Sequence, residues 1–348
     1  MGRTSWARGA RLSVLCHLFL HPKFRSNGVD RTVSRLPTPF GPRAAISICS
    51  MNPLFRSPTF PFPYLAMTVF AVLACLRSAA IAANTPADPS AAITPDKPIA
   101  LFNGKDLSNF YTWLVDHKYS DPNRVFSVVD RVDGAPAIRV SGENWGGFVT
   151  KESYTNYHLV VEYRWGDLTW GERKDKALDS GILVHARGPD GNSRADFNGP
   201  WMNSVEYQLI EGATGDFIRV RGFAKDGSPL PAPNLTGTVR VLRNGQMNWD
   251  PNGAEVRFDE NARGRLCCSY KDPDWSGGLG YRGARDVERP VGQWNKAEII
   301  CKADTVTFIL NGETINRGTR CTFTSGKLLF QSEGAEVFFR RIELYPVR

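Results

Sequence analysis

Short segments in which apolar and polar residues alternate recur along the chain, separated by clusters of Gly, Asn and Asp. A period of two is typical of strands that bury one face, and the segments are rich in Val, Ile, Phe and Tyr. The pattern predicts strands over residues 157–165, 181–187, 205–211, 296–303, 305–310 and 336–344. Because no amphipathic helix of substantial length is visible, we predict an all-β fold, an antiparallel two-sheet jelly-roll sandwich.

Residues 99–348 contain no internal repeat and no linker, which predicts one domain over this range. The clearest hairpin lies where residues 306–310 and 313–315 flank the dipeptide Asn311 and Gly312. Asn and Gly accept the two positive φ angles of a type I′ turn, so we expect a tight hairpin there.

Charged and amide side chains share one face of three predicted strands. The face carries His158, Glu162 and Arg164 in the first strand, His185 and Arg187 in the second, and Glu206 and Gln208 in the third. If the three strands are neighbours, these side chains line one surface, where paired carboxylates would suit proton-transfer chemistry. The alternatives are a solvated sheet face and, for His185, a core histidine bonded to the backbone.

Aromatic residues and turns offer weaker signals for ligands. Eight tryptophans follow residue 100, and Trp145 is among those near Gly-rich stretches. Aromatic faces suit sugar rings, but filling a sandwich core explains a Trp equally well. The turns at Asp190 and Asp250 offer oxygen ligands for Ca²⁺, although plain turns use the same residues. The sequence contains no P-loop and no H-E-x-x-H, and its G-x-G-x-x-G at 278–283 precedes no helix. We therefore predict no cofactor and no metal, with calcium left open.

The net charge of +8 belongs to the front of the 348-residue chain. Residues 1–95 hold ten Lys and Arg against Asp30 and Asp88, which leaves 33 residues of each sign in the remainder. A globular part without net charge lacks the electrostatic footprint of a nucleic-acid-binding protein. We therefore expect no nucleic-acid partner.

The front of the chain has the features of an export signal. Arg56 precedes an apolar run of 13 residues at 64–76, and the small residues 80–82 match an A-x-A cleavage site. The run is shorter than the roughly 20 residues that span a bilayer, so a permanent membrane span is disfavoured. We predict a signal peptide at 51–83, a Pro-rich linker at 84–98 and a periplasmic or secreted protein.

Two further features concern the same segment. Residues 1–50 are rich in Arg and Pro and show no sustained period, which indicates a mis-called or disordered extension with Met51 or Met67 as the true start. The stretch that ends at Cys75 loosely matches a lipoprotein cleavage box, so a lipid anchor at Cys75 stays an alternative.

Four cysteines follow the predicted signal: Cys267, Cys268, Cys301 and Cys321. An even number fits disulfides in an exported protein. Because adjacent cysteines seldom pair with each other, we expect Cys267 and Cys268 each to pair with one of the other two, in either connectivity. A zinc site is disfavoured because there is no C-x-x-C and no nearby His.

Eight short motifs, in this order, resemble the 3-keto-disaccharide hydrolase family. They are Leu101-Phe-Asn-Gly-Lys-Asp-Leu107, Gly147-Phe-Val-Thr150, Tyr157-His-Leu-Val-Val-Glu-Tyr-Arg164, Asp179-Ser-Gly-Ile182, Val205-Glu-Tyr-Gln-Leu209, Gly292-Gln-Trp-Asn295, Asn311-Gly312, and Phe330-Gln-Ser-Glu-Gly334 through Phe339-Arg-Arg-Ile342. The resemblance implies a concanavalin A-like lectin or glucanase fold, export by bacteria and activity on oxidised sugars. It covers nearly all of residues 99–346.

The resemblance also implies a reaction in which a C3 ketone acidifies the C2 hydrogen of a glycoside. A base removes that hydrogen, the C1 substituent leaves, and water adds to the enone, so the site needs a base, an acid and an enolate donor. We predict Glu206 and Glu162 as acid and base, with His185 as an alternative base and Arg187 as the donor. Predicted substrate-binding residues are Gln208, Gln331, Trp145, Arg164 and Glu333. Many members of the family carry His at the position of Glu333.

Two functions remain from the sequence. The first is a hydrolase of 3-keto-glycosides or 3-keto-disaccharides with a carbohydrate partner. The second is a non-catalytic, lectin-like carbohydrate-binding protein, because the same sandwich serves binding as readily as chemistry. A retaining glucanase is disfavoured because its tight E-x-D-x-x-E motif is absent. Raised carboxylate pKa values and a closed pocket beside Glu162 and Glu206 would favour the enzyme, whereas an open aromatic platform without paired carboxylates would favour the lectin.

Overall fold

The computed structural model describes residues 92–261 and 264–347. Its strands are β1 (Ile99–Ala100), β2 (Phe110–Leu114), β3 (Phe126–Val132), β4 (Ala135–Val140), β5 (Gly146–Thr150), β6 (Tyr154–Thr155), β7 (Tyr157–Thr169), β8 (Asp179–Arg187), β9 (Asn203–Ile210), β10 (Phe217–Val220), β11 (Leu235–Val241), β12 (Met247–Trp249), β13 (Ala254–Phe258), β14 (Asn295–Lys302), β15 (Thr305–Leu310), β16 (Glu313–Gly318), β17 (Ser325–Ser332) and β18 (Ala335–Pro346). A 3₁₀ turn spans Gly171–Arg173.

Two antiparallel sheets make up most of the domain. The first has the order β16-β15-β14-β7-β18-β4-β3, with β1 added to β18, and the second has the order β10-β9-β8-β17-β5-β2, with β6 added to β17. A small sheet of β12, β11 and β13 follows β10 in the chain. The predicted all-β sandwich of antiparallel sheets is therefore confirmed.

Aromatic side chains fill the space between the two sheets. Phe148 and Phe330 of the second sheet stack with ring centroids 4.6 Å apart, and Phe339 of the first sheet lies 5.4 Å from Phe330. Tyr207 and Phe308 make a similar contact across the interface at 4.6 Å. Such ring pairs contribute beyond the area that they bury, so they hold the second sheet as a firm platform.

The strongest sequence patterns became strands close to their predicted bounds. The hairpin is confirmed, because Asn311 has a φ of 50° and Gly312 a φ of 93° between β15 and β16. The predicted extension at 1–50, the signal peptide at 51–83, Cys75 and the linker up to residue 91 lie outside the described residues. No helix within the described ranges has the length and apolar character that a membrane crossing requires.

A β-bulge in β8 changes which face its last residues use. The register with β9 shifts between Val184 and Arg187, and His185 has a positive φ of 55°. As a result His185 is fully buried on the core side, while Ala186 joins an apolar cluster on the other face. Strict alternation therefore fails after Val184, since the extra residue of a bulge reverses the order of faces.

The four cysteines are free thiols and all are buried. The predicted pairing of Cys267 and Cys268 with the other two is therefore wrong in this structure. Cys301 lies in β14 opposite Tyr157 of β7, whereas the backbone N–H of Cys268 donates to Asp216 next to the second sheet. Burial raises the pKa of Cys301 to about 12, which makes it a poor nucleophile.

Glu288, in the loop before β14, joins the two sheets at one end. Its carboxylate accepts hydrogen bonds from Tyr163 Oη at 2.6 Å and Trp165 Nε1 at 2.9 Å, both in β7. It also accepts from Gly212 N at 3.0 Å and Thr214 Oγ1 at 3.1 Å, just after β9. One buried carboxylate thus satisfies four donors, two from β7 and two from the segment that follows β9.

We predict that Glu288→Ala lowers the free energy of unfolding by about 3 kcal/mol, because it leaves three buried donors without an acceptor, while Thr214 Oγ1 keeps the Ile210 carbonyl. Urea unfolding at neutral pH measures the effect. The matched control is Glu313→Ala at an exposed position of β16, which should change stability by less than about 0.5 kcal/mol. Equal stability of both variants would show that Glu288 does not join the sheets.

Candidate functional site

The outer face of the second sheet carries a group of buried polar side chains. In β9, Val205, Tyr207 and Leu209 enter the core, so the alternate residues Glu206 and Gln208 point to the opposite face. Both are nearly inaccessible to solvent, at 4% and 6% exposure. The predicted shared face of Glu206 and Gln208 is confirmed.

Gly181 in β8 allows the neighbouring strands to bring their side chains together. Gly181 pairs with Gln208, and the next residue pairs with Phe330 of β17. A Cβ at Gly181 would lie 2.8 Å from Glu206 Oε1 and would clash with Gln331 Oε1. Glu206 and Gln331 therefore approach each other over a strand position that must lack a side chain.

Arg173, in the turn after β7, holds two carboxylates of this face. Its guanidinium forms an ion pair with Asp179 of β8 and lies 3.2 Å from Glu333 Oε1, just after β17. The side-chain amide of Gln208 also donates to Asp179. Asp179, Glu206 and Glu333 thus form a carboxylate cluster, a name we keep below for these three residues.

Burial raises the pKa of every member of the carboxylate cluster, and the charge of Glu333 raises the pKa of Glu206 and Asp179 further. Burial first and the charge of Glu333 second raise the pKa of Glu206 to about 8. Burial raises the pKa of Glu333 to about 7, against the opposing effect of Arg173. The pKa of Asp179 is also raised, by burial and then by Glu333. Protons are therefore shared within the cluster near neutral pH, which suits acid–base chemistry.

Gln331 lies against the cluster with much of its hydrogen-bonding capacity unused. Its side chain is fully buried, neither Oε1 nor Nε2 makes a hydrogen bond of standard geometry with a described residue, and the closeness of this amide to Glu206 lowers the pKa of that carboxyl. An unpaired buried amide costs about 1–3 kcal/mol, and such groups are uncommon in folded proteins. Its position beside Glu206 makes it a candidate ligand-binding group.

An aromatic groove of about 630 Å³ lies on the same sheet face, and no member of the carboxylate cluster is among its lining residues. Trp145 and Trp201 stack along it with ring centroids 5.7 Å apart. Trp145 immediately precedes Gly146, which pairs with Ser332, so it borders the end of β17 that carries Glu333. Trp201 packs on the apolar cluster that includes Leu183, the strand partner of Glu206. The groove therefore offers flat apolar surface on the sheet face that carries the carboxylates.

The three polar residues predicted in β7 lie elsewhere. Because β7 belongs to the first sheet, the prediction that they share a surface with Glu206 is wrong. Glu162 pairs with Arg340 at 2.7 Å, Arg164 lies 3.4 Å from Asp133, and His158 bonds to Glu298. These contacts are ion pairs and hydrogen bonds on the outer face of the other sheet.

His185 and Arg187 are also separated from the carboxylate cluster, at the far end of β8. His185 Nδ1 bonds to the Phe323 carbonyl, and burial lowers the pKa of its ring to about 3, so it stays neutral. Arg187 donates to the Ser325 carbonyl and stacks on Phe323 at 4.5 Å. The structure therefore brings together Glu206, Gln208, Gln331 and Glu333 from the predicted set, with Trp145 beside them.

Three residues of the site were missed from the sequence. Asp179 stands two positions before Gly181 and so shares its face, a signal that the alternation contained. Arg173 lies in a polar turn with no periodic pattern, and only the fold brings it to the cluster. Arg265 favours the ionised forms of Glu206 and Glu333, and it too comes from outside the large sheets.

The candidate calcium turns have local hydrogen-bond partners. Both carboxylate oxygens of Asp190 accept from tyrosine hydroxyls, at 2.7 Å from Tyr111 and 2.9 Å from Tyr119. Asp250 Oδ1 accepts from Asn252 N, as in a plain turn. Among the described residues, no group of three or more His, Cys, Asp or Glu side chains is placed to hold a metal ion.

Comparison with known proteins identifies the family. The family described as the 3-keto-alpha-glucoside-1,2-lyase-like domain matches residues 97–345. The chain belongs to this family. No curated protein matches the chain.

Several solved structures align with the chain at low identity. A candidate glycosyl hydrolase from Parabacteroides distasonis is 18% identical over 72% of this chain and 94% of its own, with a TM-score of 0.38. The β-glucanase of Bacillus licheniformis is 10% identical over 72% and 97%, with a TM-score of 0.35. A carbohydrate-binding module from Bacillus subtilis is 10% identical over 68% and 94%, with a TM-score of 0.34. At these scores the strand pairing of this chain, and not the alignments, defines its fold.

We predict that Glu206→Gln makes stability less dependent on pH. An unfolded Glu titrates near 4.5 and Glu206 in the folded chain at about 8. Because the folded state binds this proton more tightly, its stabilisation is complete below about pH 4.5 and is lost as the pH rises to about 8. The wild-type free energy of unfolding should therefore fall over this window, and the fall should shrink by about 1 kcal/mol or more in the variant.

Urea unfolding at about pH 5, 7 and 9 measures both slopes. Glu313→Gln, which changes an exposed carboxylate of β16, is the matched control and should keep the wild-type slope. Parallel curves for wild type and Glu206→Gln would contradict a raised pKa at Glu206.

Proposed function

We propose that this member of the 3-keto-alpha-glucoside-1,2-lyase-like family cleaves glycosides that carry a ketone at C3. The observation that carries the proposal is the carboxylate cluster, in which Glu206 and Glu333 titrate near neutral pH beside the unpaired amide of Gln331. Groups with such pKa values are suited to give and take protons in one catalytic cycle.

The ketone makes elimination the simplest route. Removal of the C2 hydrogen as a proton leaves an electron pair that is delocalised onto the C3 oxygen. The pair then forms a C1–C2 double bond as the C1–O bond breaks, and a proton is delivered to the departing oxygen. The products are an enone and the free alcohol, which agrees with the 1,2-lyase of the family description. Addition of water to C1 of the enone, with a proton returned to C2, completes net hydrolysis.

Glu333 is the proposed base. Its carboxylate lies 3.2 Å from Arg173, and this guanidinium favours the ionised form against the effect of burial. An ionised carboxylate in a site of low solvent access is a strong acceptor for the C2 proton, since water does not solvate it. Arg173 also orients the carboxylate through the ion pair that it shares with Asp179.

Glu206 is the proposed acid. No cation forms an ion pair with its carboxylate among the described residues, so burial and the charge of Glu333 keep the proton on it. A protonated carboxyl can donate to the departing glycosidic oxygen, which makes the C1–O bond easier to break. The pair Glu206 and Glu333 thus replaces the predicted pair Glu206 and Glu162, because Glu162 lies on the other sheet.

Gln331 is the proposed donor to the oxygen that becomes the enolate. Its Nε2 has two hydrogens and no partner in the described part of the chain. A donor that is fixed before the reaction stabilises developing negative charge without reorganisation. Trp145 and Trp201 would bind the second sugar ring against their faces, since aromatic rings suit the C–H surfaces of sugars.

A carbohydrate-binding protein without activity is the second candidate. The open groove beside Trp145 and Trp201 favours it, because stacked aromatic rings are sufficient to bind a sugar. It does not explain why three carboxylates are buried together, since uncatalysed binding needs no shared proton. The two candidates differ in turnover, which the next experiment measures.

We predict that the purified protein releases glucose from 3-keto-trehalose and 3-keto-lactose and leaves the unoxidised disaccharides intact. Glu206→Gln and Glu333→Gln should each lower kcat by about 100-fold or more, because each removes a proton-transfer group. Glu162→Gln, on the other sheet, discriminates the two possible pairs and should keep wild-type activity. Binding without turnover would indicate the carbohydrate-binding protein, and cleavage of unoxidised sugars would contradict the elimination.

We further predict that Glu206→Gln and Glu333→Gln block different steps of the reaction. In D₂O, Glu206→Gln should still exchange the C2 hydrogen of a 3-keto-glucoside, because the base is intact, while Glu333→Gln should not. A nitrophenyl leaving group needs no acid, so it should restore cleavage in Glu206→Gln only. NMR of the C2 proton and absorbance of nitrophenol measure the two steps, and the reverse pattern would exchange the roles.

A further inference from the structure

A second pocket, of about 430 Å³, lies on the same sheet face near β2. Gly188, Pro189 and Phe197, in the loop between β8 and β9, form one wall, and the lysines Lys225 and Lys327 also line it. Other residues of the same loop, Ser193 and Arg194 among them, line the groove of Trp145 and Trp201 instead. The loop therefore divides the sheet face into two binding-sized depressions, and the proposed chemistry uses only one.

Three aromatic rings form the floor and rim of this pocket. The Trp113 and Tyr119 rings meet edge to face with centroids 5.2 Å apart, and Tyr111 lies 6.2 Å from Tyr119. Tyr119 is 64% exposed, yet its hydroxyl is fixed on Asp190 at 2.9 Å. Trp113 is buried, with Lys118 Nζ 5.0 Å from its ring centroid, so Tyr119 is the ring that faces solvent. An exposed ring that is already held in place loses little conformational freedom when a ligand stacks on it.

The charges of the pocket are unbalanced. Asp190 is its only carboxylate among the lining residues, and both of its oxygens accept from Tyr111 and Tyr119. Lys327 Nζ donates to Tyr111 Oη at 3.3 Å and lies 4.6 Å from the ring centroid, with no ion pair to a described carboxylate. Lys225 is exposed, and its ammonium makes no ion pair within the described residues. Two cations thus face the pocket with no carboxylate free to neutralise them.

We propose that this pocket binds an acidic saccharide, with a sugar ring on Tyr119 and a carboxylate or sulfate on Lys225 and Lys327. Aromatic rings supply the surface for the C–H face of a sugar, and lysine ammoniums attract an anionic substituent without a fixed geometry. A neutral sugar would leave both ammoniums unmatched, and an acidic peptide would make no use of the edge-to-face rings. In this proposal the pocket binds a saccharide near the groove and takes no part in cleavage.

Isothermal titration with a galacturonic acid trisaccharide, compared with maltotriose, tests the proposal at low salt. We expect the acidic trisaccharide to bind at least about tenfold more tightly, and its affinity to fall as salt rises. Lys225→Met and Lys327→Met should each weaken it several-fold, and Tyr119→Ala should weaken it further. Lys105→Met, on an exposed loop after β1, is the matched control and should bind as wild type.

Three outcomes would overturn the proposal. They are equal affinity for both trisaccharides, equal affinity for polyglutamate, and undiminished binding by Tyr119→Ala. Because Glu206→Gln leaves this pocket intact, that variant should bind the acidic trisaccharide normally even when it cleaves nothing. Turnover of keto-sugars and binding of the acidic trisaccharide are therefore measured separately. The proposed function and the proposed saccharide site can each be contradicted without the other.

Discussion

The burial of three carboxylates on one sheet face, with one arginine in contact with two of them, is the constraint on which the site depends. Moving a charge out of water is expensive, so each carboxylate must be paired or keep its proton. Arg173 pairs with Asp179 and Glu333, which leaves Glu206 as the member that keeps its proton. The proposed acid and base are thus two identical side chains whose pKa values differ because their surroundings differ.

The carboxylates can lie close together because the sheet beneath them is firmly packed and has a glycine between them. Phe148, Phe330 and Phe339 pack the second sheet against the first, so its strands cannot separate to relieve repulsion among the carboxylates. Gly181 removes the one side chain that would keep Glu206 and Gln331 apart. Burying the carboxylates on the outer face of the second sheet lowers stability, and packing between the two sheets offsets that loss. A functional site and its scaffold are usually related in this way.

Local pattern predicted half of the site and long-range pairing decided the rest. Alternation in β9 predicted that Glu206 and Gln208 share one face, since every second residue of a strand points the same way. The same alternation in β7 was correct for Glu162, but nothing local says that β7 pairs with β14 and β18 instead of β8. The bulge at His185 and the approach of Arg173 from a turn also depend on tertiary contacts, so periodicity could not show them.

A raised pKa does not by itself distinguish a reactive carboxylate from a structural one. Burial raises the pKa of Glu288 to about 7, close to that of Glu333. Yet Glu288 is surrounded by four donors from the segments that it joins, so its oxygens have no capacity left for a substrate. Around Glu206 the situation is reversed, because the neighbouring amide of Gln331 has donors and an acceptor but no hydrogen bond of standard geometry to a described residue. Unused hydrogen-bonding capacity next to a carboxyl of raised pKa, more than the pKa alone, is therefore the reason to propose this face as the ligand site.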